Sequence, residues 1–541
     1  MKNKIHFQKG SSLLVSLLAL TLTPTSLSAK TFSVKNASGV EITYTTSDEN
    51  PRNAKVASNS IDKETVTELQ IPETITYNGA NYTVTGISDS AFIWCDKLTS
   101  VRLPQSIQTI GDNAFEDALS LKEIEIPNGV TTIGQKAFYD CHKLTKAALP
   151  KSLISIGNDA FAFCGSLEEI ELSNNIKSIG AGAFYDCQKL KSVTLPNSIT
   201  EIGANTFYKC HDLAEANIPS KVTSIGDYAF FECESLTKIK LPSSLTKIGD
   251  GAFSKCAAIK AITIPNSVKE LGERVFHECE NLEEVKLTNK VTSIPNGTFF
   301  GCSSLKKSAI PNAITTIGDY AFYQCTSMTE VEISDKVENI GDHAFNACNS
   351  LVAITVDKGN NNYSSQDGIL YNKEMTDLIQ YPANKADKSF TIPDGVKKIM
   401  DNAFYKCKNI ENVTSPNSLT EIGKFAFYYC NGITKVVIPQ SVKTIDNGAF
   451  SMCRNLKEIN LPKGLTEIAM GTFSGCTNLN NVIIPEGVTS IGNLAFYKCT
   501  NLSHLELPTT ISSIGKNAFI GTKTIYAEED ESNRFKDSIT F

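Results

Sequence analysis

The chain has 541 residues, of which 41% are hydrophobic, and a formal net charge of −7 at pH 7. This hydrophobic content indicates a folded protein and not a disordered one, and the length alone suggests several ordinary domains. The acidic excess is small and dispersed, and no basic stripe is present, which argues against a nucleic acid as the partner.

The N-terminal segment 1–29 has the pattern of a secretory signal peptide. Lys2, Lys4 and Lys9 give a positive start, and residues 13–22 form an apolar stretch too short to span a bilayer as a stable helix. Ala29 offers a small residue for signal peptidase, with a membrane anchor as the alternative. No later stretch is apolar enough to cross a membrane, so we expect a mature chain without a transmembrane segment. It would be secreted, at the cell surface or in the periplasm.

Residues 30–86 lack the repeat that dominates the rest of the chain. GVEITYTT and NAKVAS are typical of strands, and ETITYNGANYTVTGI predicts a hairpin around Asn78-Gly79. Because the open end of a stacked structure must be covered, we predict an N-terminal β cap over this range.

From residue 87 the sequence consists of copies of equal length. Equivalent residues of consecutive copies are separated by the distance along the chain from Phe92 to Phe115, and this distance is the repeat period. A Phe recurs with this period as far as Phe345 and again from Phe404 to Phe519, which makes eighteen copies. The fixed period has to be identified before any domain is drawn, because one repeat is one structural unit that cannot bury its own apolar side. Stacked copies can bury it, so the chain should form a solenoid.

The copy from Leu121 to Lys143 reads LKEIEIPNGVTTIGQKAFYDCHK. Its first residues alternate between apolar and polar, which predicts a short strand. Pro127 ends this strand because it has no N–H to donate, and Gly134 suits a tight bend. We therefore predict a parallel β-sheet along one face and irregular or helical turns on the other.

The run Leu-x-x-Ile-x-Ile-Pro followed by Ala-Phe-x-x-Cys resembles the BspA-like, or Treponema pallidum-type, class of leucine-rich repeats. The resemblance covers about residues 87–521 and is specific for the fold across its eighteen copies. It implies a leucine-rich-repeat solenoid in an exported or surface-exposed bacterial protein. Several members of this family are implicated in adhesion to matrix proteins or to other cells.

Residues 356–391 interrupt the repeat between the blocks 87–355 and 392–521. GILYN and DLIQYP predict two strands around KEMT, and thus a β-hairpin. Two interpretations remain open: a hairpin that merely interrupts the ladder, or a protruding recognition element. The second interpretation makes three tyrosines candidate ligand contacts: Tyr363, Tyr371 and Tyr381.

All 16 cysteines occupy one column, at the third position after the repeat Phe. Each is alone in its repeat and has no accompanying His column, unlike the ligands of a zinc site. Sixteen equivalent positions also single out no nucleophile. Stacked, parallel side chains would hold their β-carbons about 4.8 Å apart, further than a disulfide prefers. We predict a buried, reduced cysteine ladder used for packing, with occasional disulfides left open and no metal or cofactor.

Charged residues recur at the outward position that follows the leading Leu by two. Opposite charges on neighbouring strands are mildly favourable, so a solvated and register-compatible face explains this row. The alternative is a polar docking surface for a protein or a glycan. Its candidate contacts would be Glu123, Lys146, Glu169, Lys238 and Lys307.

Aromatic residues concentrate directly after the repeat Phe. Packing between adjacent turns is one use for them, and a platform for stacking sugars is the other. The positions are Tyr139, Tyr185, Tyr208, Phe231, Phe300, Tyr323, Tyr405, Tyr428 and Tyr497.

The sequence contains no Ser-His-Asp set, no glycine-rich phosphate loop and no carboxylate pair separate from the strand charges. We therefore expect a non-enzymatic protein. The resemblance to the BspA-like family implies an exported recognition or adhesion protein that binds a matrix protein, a cell surface or a glycan along a long rigid surface. A structural or scaffold component of the envelope or biofilm, without a dedicated ligand, is the alternative. An enzyme hidden in the cap or the insert is a third hypothesis. Residues 522–541 are charged and predict a short C-terminal cap or tail.

Overall fold

The computed structural model describes residues 29–46, 50–308 and 310–523. These residues form strands and turns and contain no helix, so the turns opposite the sheet are irregular and not helical. The predicted signal peptide, apart from Ala29, and the predicted tail after Lys523 lie outside the described residues.

Six strands form the N-terminal cap and the start of the stack. They are β1 (Thr31–Lys35), β2 (Glu41–Thr46), β3 (Asn53–Val56), β4 (Glu68–Gln70), β5 (Thr74–Tyr77) and β6 (Ala80–Ile87). β1, β2 and β3 pair antiparallel, and β3 pairs parallel with β6. β5 and β6 form the hairpin predicted around Asn78-Gly79, whose φ angles of 49° and 75° suit a tight two-residue turn.

A first arm of repeats follows. Its strands are β7 (Ser100–Arg102), β8 (Thr109–Ile110), β9 (Glu123–Glu125), β10 (Thr132–Ile133), β11 (Lys146–Ala148), β12 (Ser155–Ile156), β13 (Glu169–Ile170), β14 (Ser178–Ile179), β15 (Ser192–Thr194), β16 (Glu201–Ile202), β17 (Glu215–Asn217), β18 (Ser224–Ile225), β19 (Lys238–Ile239), β20 (Lys247–Ile248), β21 (Ala261–Thr263), β22 (Glu270–Leu271), β23 (Glu284–Lys286), β24 (Ser293–Ile294), β25 (Lys307–Ser308), β26 (Thr316–Ile317), β27 (Glu330–Ile333), β28 (Asn339–Ile340) and β29 (Ala353–Val356).

Three antiparallel strands interrupt the stack, and a second arm continues it. The interrupting strands are β30 (Tyr363–Gln366), β31 (Ile369–Asn372) and β32 (Asp377–Gln380). The second arm contains β33 (Ser389–Thr391), β34 (Lys398–Ile399), β35 (Asn412–Thr414), β36 (Glu421–Ile422), β37 (Lys435–Val437), β38 (Thr444–Ile445), β39 (Glu458–Asn460), β40 (Glu467–Ile468), β41 (Asn481–Ile483), β42 (Ser490–Ile491), β43 (His504–Glu506) and β44 (Ser513–Ile514).

Each regular rung supplies one strand to each of two parallel ladders. In the first ladder Lys146 pairs with Glu123 and with Glu169, and in the second Thr132 pairs with Ser155. These partners lie one repeat period apart, so the sequence period becomes the register of the stack. We call the outer surface of the first ladder the strand face.

The third side of each rung has a ladder of its own. Alternate N–H groups bond within the rung and to the next one: Tyr139 N donates to Lys136 O (3.1 Å), while Phe138 N donates to Ala160 O (2.8 Å). Lys136 and Asp140 adopt left-handed φ angles of 52° and 54°. Half of the backbone N–H groups on this side therefore donate along the stack to the next rung. A helix could not satisfy these groups in the same way, since its N–H groups donate within the helix.

The apolar columns of the repeat fill the interior. In the copy described above, Leu121, Ile124, Ile133, Phe138 and Cys141 are at most 3% exposed. The Phe rings stack along the axis, with centroids 5.2 Å apart and planes 5° apart between Phe115 and Phe138. Each buried ring contributes about 1.5–3 kcal/mol of transfer free energy, so the core grows with the number of rungs.

The glycine column allows neighbouring rungs to approach each other closely. A β-carbon placed on Gly134 would lie 2.5 Å from the carbonyl carbon of Gly111 in the rung before it. That carbonyl cannot move without breaking the ladders on either side. The glycine is therefore required by contact between rungs and not by an unusual bend within one rung.

Candidate binding surfaces

The strand face carries all five charged residues that the sequence suggested as contacts. Glu123, Lys146, Glu169, Lys238 and Lys307 stand at equivalent positions of first-ladder strands, and all five are exposed. The structure aligns them in one row along the stack. Whether they contact a ligand stays a prediction.

These charges differ in how far they are already paired. Lys238 forms an ion pair with Glu215, with 3.6 Å between Nζ and Oε2. Among the described residues, by contrast, Lys146 forms no ion pair, although Glu123 and Glu169 flank it on the adjacent strands. An exposed pair contributes at most about 1 kcal/mol, so these side chains are free to reorient towards a partner.

A groove of about 930 Å³ lies at the N-terminal end of the strand face. Strands β4, β7, β9 and β11 form its floor, and Ser38 from the turn between β1 and β2 lines it. That turn is fixed by a hydrogen bond from Asn36 Nδ2 to Gln70 O of 3.0 Å. The groove brings Glu123 and Lys146 together with Glu68 and Arg102, which the sequence reasoning did not identify.

Two of the three tyrosines predicted as ligand contacts are buried, and that prediction is wrong for them. Tyr371 is 0% exposed and Tyr381 is 1% exposed, so neither ring can reach a partner of the folded protein. Tyr363 is half-buried, and its hydroxyl accepts a hydrogen bond from Ile340 N at 2.9 Å. Burial raises the pKa of Tyr363. All three rings therefore act within the fold.

Tyr381 takes the place of a repeat Phe. Its N–H donates to Ala403 O at 2.8 Å, and its ring lies 5.0 Å from that of Phe404. Cys407 Sγ donates to its carbonyl at 3.6 Å, as other cysteines do to a Phe carbonyl. Tyr381 lies one repeat period before Phe404, so counting backwards from the second arm would have identified it.

The insert separates two hydrophobic cores with a single strand. Leu370 belongs to the core of the first arm, whereas its neighbours Ile369 and Tyr371 belong to the core of the second. Because side chains alternate along a strand, β31 presents one face to each arm. Strand β31 therefore fills the junction between the arms and is not part of a protruding element.

The cysteines form the buried ladder that the sequence predicted. All 16 are buried and none is in a disulfide. In a regular rung the thiol donates to the Phe carbonyl of the preceding rung, as from Cys141 Sγ to Phe115 O at 3.2 Å and from Cys233 Sγ to Phe207 O at 3.1 Å. Cysteine thus combines a small apolar volume with a weak donor at a carbonyl that has a spare lone pair.

The environment of these thiols disfavours the thiolate. Burial raises the pKa of Cys95 to about 11 and that of Cys279 to about 12. A nucleophilic or metal-binding cysteine needs the opposite shift. Within the described part of the chain, moreover, no group of three His, Cys, Asp or Glu side chains is placed to hold a metal ion.

The aromatic column after the repeat Phe is stacked upon itself. Tyr185 and Tyr208 lie 4.6 Å apart with planes at 4°, and Tyr208 lies 4.6 Å from Phe231. Since a sugar would have to stack on the same ring faces, these neighbours already occupy the surface that a platform needs. Packing between turns accounts for these rings.

One recurring side-chain ladder was missed in the sequence. The residue after the column glycine is often Asp or Asn, and its Oδ1 accepts the backbone N–H one rung later. Asp112 accepts from Gln135 N (2.7 Å) and Asp227 from Asp250 N (2.9 Å). The signal for this ladder in the sequence was the repeated Gly-Asp and Gly-Asn pairs. The Asp charges along this edge therefore have a structural explanation.

Comparisons with known proteins agree with this architecture. The family of the BspA type leucine-rich repeat region matches six times, at residues 85–214, 159–283, 200–326, 271–384, 381–476 and 420–534. No curated protein matches the chain. No helix among residues 29–46, 50–308 and 310–523 is long and apolar enough to cross a membrane.

Several solved bacterial structures are similar over most of their length. A leucine rich cell surface protein of Faecalibacterium prausnitzii is 23% identical, with 93% of this chain and 97% of that chain covered and a TM-score of 0.45. A leucine-rich repeat protein of Bacteroides ovatus is 26% identical, with 90% and 98% covered and a TM-score of 0.45. The pneumococcal vaccine antigen PcpA is 17% identical, with 94% and 96% covered and a TM-score of 0.43.

Proposed function

Because the chain belongs to the family of BspA type leucine-rich repeat proteins, we propose that it is an exported, non-enzymatic recognition or adhesion protein. Its partner is a matrix protein, another cell's surface or a glycan. The strand face makes the contact, with Glu123, Lys146, Glu169, Lys238 and Lys307 among the contacting residues.

The observation that carries this proposal is the exposed strand face, whose first-ladder strands form four successive parallel sheets: β4 to β19, β21 with β23, β25 to β29, and β33 to β43. Its outward side chains project from strands that the ladders hold rigidly, so only side chains, and no backbone, have to be ordered when a partner binds. Many weak contacts along such a surface add through effective concentration. The groove between the cap and β11 supplies a concave end where a contact would be shielded from water.

The N-terminal sequence supports export. Lys2, Lys4 and Lys9 precede the apolar residues 13–22 in the order that a secretory signal requires. Buried thiols are compatible with an oxidising compartment, because oxidants react with accessible thiolates and all 16 of these thiols are buried.

A binding screen with surface variants tests the proposal. The purified mature chain is screened against matrix proteins and a glycan array, and each hit is measured again with the triple variant E123Q/K146Q/E169Q. The matched control removes three exposed charges away from the first ladder: K177Q/E201Q/E234Q. We expect the first variant to lose at least tenfold in affinity and the control to lose less than twofold.

Other outcomes of this screen would contradict the proposal. Equal losses in both triple variants would remove the strand face as the binding surface. A correctly folded chain that binds nothing in the whole screen would favour the scaffold alternative. If the chain converts a screened compound chemically, and both triple variants retain this activity, an enzyme in the cap or the junction would be favoured.

A further inference from the structure

The single tryptophan of the chain lies on the third side of the first full rung, the side that carries the repeat Phe, which we call the turn side. It is largely exposed. Trp94 is 60% exposed, more than any other aromatic residue in the described part of the chain. It adopts a left-handed φ of 60°, and its N–H donates to Glu116 O at 2.8 Å. The backbone ladder therefore fixes where the indole leaves the surface.

The indole ring is held on one face and at one edge. The ammonium of Lys63 lies 4.9 Å from the ring centroid, which is a cation–π contact. The carboxyl group of Asp117 in the next rung lies beside the indole N–H edge. Since these two contacts occupy one face and the N–H edge, the exposed surface is the opposite face. An aromatic face held ready in this way loses little entropy on binding.

Two carboxylates continue the column of Trp94. Asp117 and Asp140 hold the equivalent positions of the next two rungs, with φ angles of 58° and 54°. Phe163 holds the third position, but its ring packs between those of Tyr139 (5.2 Å) and Tyr185 (5.1 Å) and so belongs to the aromatic column. The two carboxyl groups are close enough to interact directly. His142 Nδ1 lies 2.8 Å from Asp140 Oδ1, which orients that carboxylate.

The spacing of this column matches a linear sugar chain. Rungs are about 4.8 Å apart, which is about the length of one pyranose unit. From Trp94 to Asp140 is two rung steps, so the indole stands at one end and two hydrogen-bond acceptors follow it along the stack. Pyranoses have apolar C–H faces that pack on aromatic faces, and their hydroxyls donate well to carboxylates.

We propose that Trp94, Asp117 and Asp140 form a binding site for a neutral, linear oligosaccharide of about three units. This site names the partner class of the proposed recognition function and rests on that function, but it lies on the turn side and not on the strand face. Asp117, Asp140 and the nearby Glu116 repel anionic glycans.

A basic peptide is the competing ligand, and the structure disfavours it. Lysine and arginine side chains also bind aromatic faces and carboxylates. Here Lys63 already lies over the indole, so a second cation would meet positive charge at that end of the site. A neutral sugar meets no such opposition.

The emission of the only tryptophan reports directly on this site. An array of neutral and anionic glycans is followed by fluorescence titration of the mature chain with each hit, with heparin and a lysine-rich peptide as further probes. We expect a neutral oligosaccharide to shift or quench the emission saturably. Trp94→Ala and the pair D117N/D140N should each weaken its binding at least tenfold, measured calorimetrically.

Phe425→Ala is the matched control, because Phe425 is also an exposed aromatic residue with a left-handed φ, of 52°, but lies in the second arm. It should bind as the wild type does. The inference is overturned if only heparin or the peptide changes the emission, if Trp94→Ala binds the sugar normally, or if no neutral glycan binds. In each of these cases the charge variants of the strand face still decide the proposed function separately.

Discussion

The regular rungs and the junction between the arms are held together by different means. A regular rung uses its backbone and its apolar columns, and the same contacts recur in nearly every copy. The junction uses single polar side chains for the same purpose: Tyr363 accepts the N–H of Ile340, and Asn360 bonds to four backbone groups.

This difference shows where the molecule tolerates change. In a regular rung each side chain has neighbours of its own kind, so the loss of one weakens a long column only locally. At the junction each contact occurs once, and no equivalent group can replace it. We therefore expect the regular rungs to respond to conditions that act on whole columns, and the junction to respond to single substitutions.

The largest effect should come from alkaline pH, acting on the regular rungs. Their thiols ionise near pH 9.0 when unfolded, but burial holds the folded pKa at about 11 for Cys95 and about 12 for Cys279. Above pH 9 the unfolded chain binds fewer protons than the folded one. The free energy of unfolding should then fall by up to about 1.4 kcal/mol per thiol per pH unit.

Guanidinium unfolding at pH 8, 9 and 10 measures this slope. The variant C233A/C256A/C279A removes three neighbouring thiols from the column and should flatten the slope by up to about 4 kcal/mol per pH unit. Stability that does not change between pH 8 and pH 10 would show that the thiol column is not coupled to folding.

The next effect concerns the ring that links the junction to the second arm. Tyr381→Ala removes a buried ring from the Phe column and should lower the free energy of unfolding by about 3–5 kcal/mol. Phe404→Ala, one rung further, is the matched control and should cost a similar amount. If Tyr381→Ala costs less than about 1 kcal/mol in denaturant unfolding, the ring is not part of the column.

A polar substitution at the junction should cost more than the same one in a regular rung. Asn360 is 0% exposed, and Asn360→Ala leaves the carbonyls of Ser334 and Val337 without their donor. We expect a loss of about 2–3 kcal/mol. Asn175→Ala removes an exposed bond to Lys151 O and should cost about 0.5–1 kcal/mol in the same assay. Equal losses would remove the distinction between the two regions.

The smallest effect should follow from the loss of one hydroxyl. Tyr363→Phe leaves the N–H of Ile340 without its acceptor at the edge of β28 and should cost about 1–2 kcal/mol. Hydrogen exchange of the Ile340 amide should accelerate more than that of Ile317 in the preceding rung. Unchanged exchange at Ile340 would mean that another group replaces the hydroxyl.

Much of the fold could be predicted from the sequence because the repeat imposes its period on the hydrogen bonds. The Phe and Cys columns, the short strand before Pro127 and the hairpin at Asn78-Gly79 are each encoded locally. The turn side was less predictable, since a short Ala-Phe segment fits a helix as well as a turn. Its left-handed residues are visible only once neighbouring rungs are in place.

The candidate site shows where local reasoning fails. Tyr371 and Tyr381 looked like contacts because an insert in a solenoid often carries the binding surface. Their burial depends on β31 lying between two cores, which no local pattern reveals. The column of Trp94, by contrast, was readable from the same repeat period, and it was missed because only the residues before and after it in the repeat were compared.

The identical ladders on the two sides of a rung have a consequence for how such genes change length. Most regular rungs offer the same donors to one neighbour and the same acceptors to the other, in the same register. A recombination event that adds or removes one whole copy should therefore leave each remaining interface as it was. Copies within either arm can vary in number, whereas the junction, whose contacts occur once, should be inherited as a single piece.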